Sequence, residues 1–463
     1  MSGSLDVRLR SAFAEHVLFP AEGALRHIPL ARCYRELSAM QWWPRDRLDA
    51  YRDDKVRRLV AHAYETVPFY RRRMDHAGIQ PRHVQRARDL TRFPVLTRVE
   101  IIEHVDELTS RAYDVRSLIR GSSSGSTGRV VVSYHTADSV GAAFAAERVG
   151  WKMAGYPFLA RRCVVWGNPV AVNEQWTRLG SRLKQRAYGE RRIPAYGLAD
   201  PARVDEALRL LGDFRPSYLW GYPNAIYYLA LKAREAGCGD LSCVAVLTTA
   251  ETVYDYQREV IASVFGPVFD GYGSGEVPGV AYQCRAGAYH IVEPRVVVDY
   301  GDGDRDEPRE LFLTDLDNFG MPLIRYAVGD LGVSGTGPCD CGRSWMTMRQ
   351  ISGRTADLIA LPDGGALLIP SFFGSALLRR LPGVRQYQVA RVAPTAIALR
   401  LVTTRPLRDD ERAIIEEALK PYLAGKVSLK IEEVPAVQLA RSGKFKLVVD
   451  ESSIDDSCSG EAR

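Results

Sequence analysis

From about residue 5 to residue 110, apolar positions recur at helical spacing. Val56, Leu59, Val60 and Ala63 fall on one helix face, and Gly78 is placed to end a helix. This stretch is read as mainly helical, with Trp42, Trp43, Phe69 and Tyr70 packing it onto the rest of the chain. The period changes after Val130. Short β-rich runs, Arg162–Trp166, Ser217–Trp220, Val244–Leu247 and Pro267–Phe269, alternate with helical stretches, among them Tyr254 to Phe265, which Gly266-Pro267 closes. Strand, helix, strand in that order predicts α/β layers around a substantially parallel sheet. Leu311–Asp315 and Leu323–Tyr326 read as a later pair of strands, and Gly332–Pro338 as a turn or loop. Past Arg354 the pattern is that of a compact α+β unit, with a strand at Leu358–Leu361, a helix at Asp409–Leu423 and a strand at Val427–Glu432. The tail from Glu451, rich in Ser and Asp, is expected to be disordered.

The 463 residues exceed what a single hydrophobic core organises, so two or more domains are expected. With 46% hydrophobic and 25% charged residues the chain has the composition of a soluble globular protein. It shows no apolar run long enough for a membrane span and no signal-peptide pattern at the start, so no membrane partner and a cytoplasmic location are expected. The net charge of +6 is modest, and basic clusters such as Arg71-Arg72-Arg73 are short and scattered, which argues against a nucleic-acid partner. Lysine is scarce: only nine of the 62 basic residues are Lys, and five of these, Lys420, Lys426, Lys430, Lys444 and Lys446, lie beyond residue 419.

Two glycine-rich stretches carry candidate chemistry. Ser122-Ser123-Ser124-Gly125-Ser126-Thr127-Gly128-Arg129 offers hydroxyls, closely approachable backbone N–H groups and a fixed positive charge, the ingredients of a phosphate-gripping loop. It is not the P-loop of NTPases, since no Gly-Lys-Ser/Thr follows, and its composition equally describes a flexible linker. Asp270-Gly271-Tyr272-Gly273-Ser274-Gly275-Glu276 follows a strand directly; its glycines allow a tight backbone beneath a flat ligand, Tyr272 offers a ring to stack on, and Glu276 a carboxylate for a cation. The glycine spacing does not make a Rossmann fingerprint.

Cysteine use points elsewhere. Cys284 and His290, with Cys339 and Cys341, provide three thiolates and one imidazole, a closed tetrahedral set for structural zinc; the competing reading is that Cys284 and His290 are unrelated surface residues. Cys33, Cys163, Cys238, Cys243 and Cys458 show no clustering.

Five motifs in order, Ser122 to Arg129, Gly271 to Glu276, Arg325-Tyr326-Ala327-Val328-Gly329-Asp330, Gly353-Arg354 and Ser442-Gly443-Lys444, resemble those of the adenylate-forming superfamily across about residues 55 to 450. Within it the chain is similar to the phenylacetate–coenzyme A ligase family, both in the run from Asp317 to Tyr326 and in the Cys339-Asp340-Cys341-Gly342-Arg343 knot. The resemblance implies a large N-terminal AMP-binding domain, residues 1–353 with 1–110 as a helical lead-in. A hinge at 354–357 and a small mobile α+β domain at 358–450 would follow.

It also implies an activity, ATP-dependent activation of a carboxylic acid as its acyl-adenylate, followed by transfer to a nucleophile. Coenzyme A is the first expectation for that acceptor, an amine or other small nucleophile the alternative, and a non-catalytic nucleotide-binding protein a second one. By the same resemblance Ser122, Ser123, Ser124, Gly125, Ser126, Thr127, Gly128 and Arg129 would hold the ATP phosphates, with Thr127 and Glu276 near magnesium. Tyr272 would stack on adenine with the tight backbone at Gly273 beside it, Ala250 and Glu251 would line its other side, Asp330 would accept the ribose hydroxyls, and Arg354 would contact ribose or phosphate. Lys444 would bring an ammonium to the transition state. The family pattern includes the Cys/His zinc site.

Some positions depart from the pattern: Arg129 where lysine is usual, Gly275 where threonine precedes the glutamate, Ala327 in place of a polar or basic residue, and Ala356 at the hinge where relatives have Asp or Lys. For the acid, Trp166, Gly167, Asn168, Trp220, Tyr222 and Pro223, with Gly271, lie at strand ends and suit an aryl or arylacetyl group, although the rings read equally well as packing. His135 has no assigned role. A homodimer is the assembly considered.

Overall fold

The computed structural model describes residues 11–124, 130–158, 160–166, 185, 188–195, 198, 201–354, 358–360, 366–368, 381, 383–393, 395–423, 427–437 and 448–451. The chain divides into two compact units, one of Met1–Val253 with Val260–Ile351, the other of Tyr254–Glu259 with Ser352–Arg463.

The large unit begins with helices α1 (Phe19–Leu25), α2 (Leu30–Met40), α3 (Arg45–Thr66), α4 (Pro68–His76), α5 (Arg98–Glu103) and α6 (Val105–Leu108). Along α3 the stripe Val56, Leu59, Val60, Ala63 is fully buried, as its spacing predicts. Between Ile79 and Thr97, however, the chain runs through short 3₁₀ turns and extended backbone, so the lead-in is less continuously helical than its pattern. Trp42 does not pack inward as expected: it is half exposed, with the Arg343 guanidinium 5.0 Å from its ring. The entry to α5 is set by a capping box, Thr97 Oγ1 accepting from the Glu100 amide and Glu100 accepting from that of Thr97.

An antiparallel hairpin follows, β1 (Ile119–Ser124) and β2 (Val130–His135), in which Ser122, Ser123 and Ser124 face Val132, Val131 and Val130 across the ladder. The three serines that open the expected loop are therefore already strand. Helix α7 (Ala137–Met153), capped by Thr136, leads to the main sheet.

That sheet has eleven strands. Five of them, in the order β4 (Glu190–Pro194), β3 (Arg162–Trp166), β5 (Tyr218–Gly221), β6 (Ala245–Thr249) and β7 (Val268–Tyr272), run parallel. Helices α8 (Pro201–Phe214), α9 (Pro223–Glu235) and α10 (Asp255–Phe265) lie between these strands in sequence. Burial on both faces explains the continuous apolar runs, for Cys163 to Val165 and Ala245 to Leu247 are all buried. The sheet continues through β8 (Ala281–Gln283), β9 (Tyr289–Ile291), β13 (Thr347–Arg354), β12 (Tyr326–Ser334), β11 (Arg309–Asp315) and β10 (Val296–Tyr300), with antiparallel pairing at β7–β8, β8–β9, β9–β13, β12–β11 and β11–β10.

Two boundaries differ from the pattern. Leu323–Arg325 is not strand: β12 begins at Tyr326 and extends through Ser334 into the expected turn. Pro322 has no N–H to give a ladder, and Arg325 turns the chain through a positive φ of 55°, so Leu323 and Ile324 are buried as a loop.

A guanidinium organises this loop region. Arg295, 0% exposed, bonds the carbonyls of Pro278 and Gly279 and the Asp315 carboxylate at 3.1 Å, with Asp317 at 3.6 Å. Lys55 of α3 meets the same Asp317 and the Pro294 carbonyl.

In the small unit, four strands in the order β18 (Ser428–Glu433), β17 (Ala396–Thr403), β16 (Val384–Ala393) and β19 (Val448–Asp450) form one sheet. Helix α11 (Asp409–Leu423) supplies Ile415 and Leu419 to a core with Tyr387, Val389, Leu399 and Leu401. A separate hairpin pairs β14 (Leu358–Ala360) with β15 (Ala366–Leu368).

Arg295→Met keeps the side chain's bulk but leaves the buried Asp315 carboxylate without its partner, which should cost about 3–5 kcal/mol. The urea midpoint of the large unit measures it, and a midpoint unchanged from the parent would contradict the role given to this pair.

Candidate functional site

Because β3, β5, β6 and β7 are parallel neighbours, their carboxyl ends open along one edge of the sheet. That edge gathers Trp166, Gly221-Tyr222, Thr249-Ala250-Glu251 and Tyr272-Gly273 from segments spread over a hundred residues. In open α/β sheets this edge is where ligands bind. Ala250 holds a positive φ of 69°, a conformation that costs a non-glycine residue about 1–2 kcal/mol and that turns the backbone sharply at the strand end. Glu251, next to it, accepts from the side-chain amide of Asn224 at 2.9 Å and from its backbone N–H at 3.4 Å, tying the end of β6 to the start of α9.

Beyond Tyr272 the chain makes a tight turn. Ser274 N–H donates to the Val277 carbonyl and Ser274 Oγ accepts from Val277 N–H, both at 3.0 Å, which presents Glu276 at the apex. Glu276 is 3% exposed and faces the Arg98 guanidinium at 3.5 Å. The Tyr272 hydroxyl donates to Asp330 Oδ2 at 3.0 Å, and both groups are buried. Tyr326, on the strand that carries Asp330, completes the cluster: burial first, and then the carboxylates of Glu276 and Asp330, push its hydroxyl pKa up. Two sequence motifs, Gly271 to Glu276 and Arg325 to Asp330, thus meet through side-chain chemistry.

Arg98 was not visible in the sequence as a site residue. It arrives because Leu96 bonds both sides of Tyr326, its N–H to the Arg325 carbonyl at 3.0 Å and its carbonyl to Ala327 N–H at 2.9 Å, which brings the start of α5 against β12. A Thr-x-x-Glu cap just before an arginine was the available signal, but it marks only a helix start.

The rings at the other end of the edge touch one another. Trp166 stacks on Trp220 at 5.0 Å with 9° between planes, and its centroid lies 4.3 Å from that of Tyr222. His135 is buried beneath the hairpin, against Ser133 Oγ at 2.9 Å and near the Asn318 amide, and burial lowers its pKa. This describes an anchor between β2 and the 317–322 loop. Gly125 to Arg129, Gly167, Asn168, Ala356 and Lys444 lie outside the described residues, and for Ser122 to Ser124 and Arg354 only the backbone is described.

A second cluster lies on the β8–β9 hairpin. The ligand atoms of Cys284, His290, Cys339 and Cys341 all fall within 4.8 Å of one another. Cys284 Sγ and Cys339 Sγ are 3.6 Å apart, and Cys341 Sγ is 3.1 Å from His290 Nε2. Nδ1 of His290 faces the Trp345 carbonyl at 3.3 Å, an arrangement that places a proton on Nδ1 and leaves Nε2 free to ligate. Burial lowers the pKa of His290 to about 4, so the ring is neutral. Three thiols and a neutral imidazole at this spacing fit a four-coordinate soft cation.

No family model matches the chain. A phenylacetate–coenzyme A ligase of Thermus thermophilus is 28% identical over 454 residues, covering 88% of this chain and 97% of the relative. The enzyme of the same name from Escherichia coli is 26% identical, covering 68% and 73%. Among solved structures, 2-hydroxyisobutyryl-CoA ligase in its postadenylation state with 2-HIB-AMP shares the fold at a TM-score of 0.71, with 18% identity over 89% of this chain and 91% of the other.

Tyr272→Phe removes the donor to Asp330 and leaves a buried carboxylate short of a hydrogen bond. It should cost about 1–2 kcal/mol of folding stability, read from chemical unfolding; no loss would mean that solvent reaches Asp330.

Proposed function

We propose, on the premise that this chain belongs to the adenylate-forming superfamily as a relative of the phenylacetate–coenzyme A ligases, that it joins a carboxylic acid to coenzyme A through an acyl-adenylate. The observation that carries the reading is the buried cluster of Tyr272, Glu276 and Asp330, which brings an aromatic face and two carboxylates to the carboxyl edge of the parallel strands.

In the first half-reaction the acid's carboxylate oxygen attacks the α-phosphorus of ATP, and pyrophosphate leaves. Adenine would lie against Tyr272, with Ala250 and Glu251 on its other side, and Asp330 would take the ribose hydroxyls, a task suited to a carboxylate whose other oxygen Tyr272 already orients. Ser122 to Arg129 would grip the leaving phosphates, with the hairpin β1–β2 as their stem. Magnesium, assigned to Glu276 and Thr127, would neutralise phosphate charge. Arg98 faces Glu276 in the protein alone, so the cation would share that carboxylate with a guanidinium. Arg354 is assigned to ribose or phosphate, and Lys444 to the charge that develops on the α-phosphate. In the second half-reaction the thiol of coenzyme A attacks the acyl carbon and AMP leaves. Trp166, Trp220 and Tyr222, with Gly167 and Gly271, would receive the acid, and their stacked rings favour an aromatic or arylacetic one.

We also assign a structural zinc to Cys284, His290, Cys339 and Cys341, where all four positions filled by protein would leave no open site for chemistry. Among the described residues no helix is long and apolar enough to cross a membrane, and a cytoplasmic protein is part of this reading.

Acid-dependent exchange of radiolabelled pyrophosphate into ATP tests the first step; no exchange across a broad acid panel would refute it. Lys444→Ala should slow exchange about 10²–10³-fold while ATP still protects the protein from unfolding, and unchanged exchange would remove Lys444 from the chemistry.

Elemental analysis of protein purified without added metal should give about one zinc per chain. Cys341→Ser should lower both that content and the thermal midpoint. Metal-free protein with the parent's midpoint would dismiss the assignment.

A further inference from the structure

A cavity of about 30 Å³ lies between α7 and the carboxyl ends of β5, β6 and β7, behind Gly271. Trp151, Ala154, Trp220, Leu247 and Tyr282 are among its walls. Its two acids are already served. Asp270 accepts from Thr248 Oγ1 at 2.6 Å and from the Tyr289 hydroxyl at 2.8 Å, and the Glu147 side chain, 26% exposed, is open to water. The cavity is therefore defined by its shape, and the rings that give it that shape are locked. Tyr282 is wedged between glycines: a Cβ at Gly150 would fall 2.1 Å from its ring, and one at Gly271 2.9 Å. Trp220 stacks on Trp166 at 5.0 Å and meets Trp151 edge-on at 5.3 Å. Trp151, 4% exposed, is held in turn by the Tyr156 ring at 5.3 Å and by the guanidinium groups of Arg148 and Arg162, 4.1 and 5.0 Å from its centroid.

We propose that these interlocked rings limit the size of the acid: at the end of its ring remote from the carboxyl there is room for one further non-hydrogen atom and no more, and Trp220 sets the limit. The proposal rests on the acid-activation reading, in which the acid's body lies against Trp220 and Gly271. Both residues are themselves walls of the cavity, so a group that the ring carries past them enters it. The volume holds one water or a group of that size, such as a methyl, and is far too small for a second ring. The wall does not retreat before a larger group, because a close-packed interior answers added bulk with strain. Trp220 is packed by an indole on either side, so it has no second position within this column of rings.

Pyrophosphate exchange on the full chain would compare phenylacetate and benzoate with their 4-fluoro, 4-methyl, 4-methoxy and 4-ethyl derivatives, with hexanoate as the acid that has no ring. In the series that exchanges, the 4-fluoro and 4-methyl acids should stay within about threefold of the unsubstituted one in kcat/KM, and the 4-methoxy and 4-ethyl acids should fall about tenfold or more below the 4-methyl acid. Trp220→Leu, which opens the wall, should bring the 4-ethyl acid close to the 4-methyl acid, chiefly through KM. Ala154→Val, which fills the cavity, should move the limit the other way, so that the 4-methyl acid falls about tenfold below the unsubstituted one. Protection of each variant from unfolding by ATP, as in the parent, shows that it is folded. A parent that takes the 4-ethyl acid as readily as the 4-methyl acid, a limit that neither variant moves, or exchange with hexanoate alone would overturn the inference and leave the adenylation reading standing. Should neither variant fold, the parent's own series decides. Exchange with no acid of any kind would instead defeat the adenylation reading and this inference with it.

Discussion

The buried guanidinium of Arg295 is the constraint on which the candidate site depends. The turn that presents Glu276 ends in two carbonyls, those of Pro278 and Gly279, that the sheet ladder does not use, and Arg295 bonds both while its charge is met by Asp315. A guanidinium suits this place because its planar fork can serve two carbonyls and a carboxylate at once. The same charge reaches Asp317, which Lys55 also holds, so the loop of buried apolar residues from Asp317 to Arg325 and the turn at Glu276 share one electrostatic anchor. Neither segment is regular secondary structure, and both gain through these bonds what a ladder would otherwise supply.

A parallel arrangement of strands accounts for the rest of the site's geometry. Residues as far apart in sequence as Trp166 and Tyr272 come to one edge because β3, β5, β6 and β7 all end there. The fold class was legible for the same reason: strands buried on both faces read as uninterrupted apolar runs, and the helices between them carry a different period.

Illegible were features that depend on partners remote in sequence. Leu323 and Ile324 have the burial of strand residues without the ladder, which no periodicity distinguishes. Arg98 is one of 53 arginines, and nothing near it reports that Glu276 will lie 3.5 Å away. Trp42 reads as core by type, yet it sits at the surface under Arg343 because α2 buries Leu37 and Met40 instead. The Cys/His cluster was suggested by composition, while the detail that orients it, the Trp345 carbonyl facing Nδ1 of His290, comes from a backbone atom that no side-chain motif encodes.

Leu96 occupies a place whose effect extends beyond its own burial. By donating to one side of Tyr326 and accepting from the other, it acts as a one-residue strand beside the first residue of β12 and fixes where α5 begins. The helical lead-in is therefore not an appendage that could be trimmed from a minimal nucleotide-binding fragment. A fragment starting after residue 110 would keep Tyr272, Glu276 and Asp330 and yet lose both the cation facing Glu276 and the residue that bridges Tyr326 at the start of β12. Such a fragment would leave the Arg325 carbonyl and the Ala327 N–H without Leu96 and open to pairing with other chains, and self-association, more than simple loss of binding, would be the signature of the missing segment.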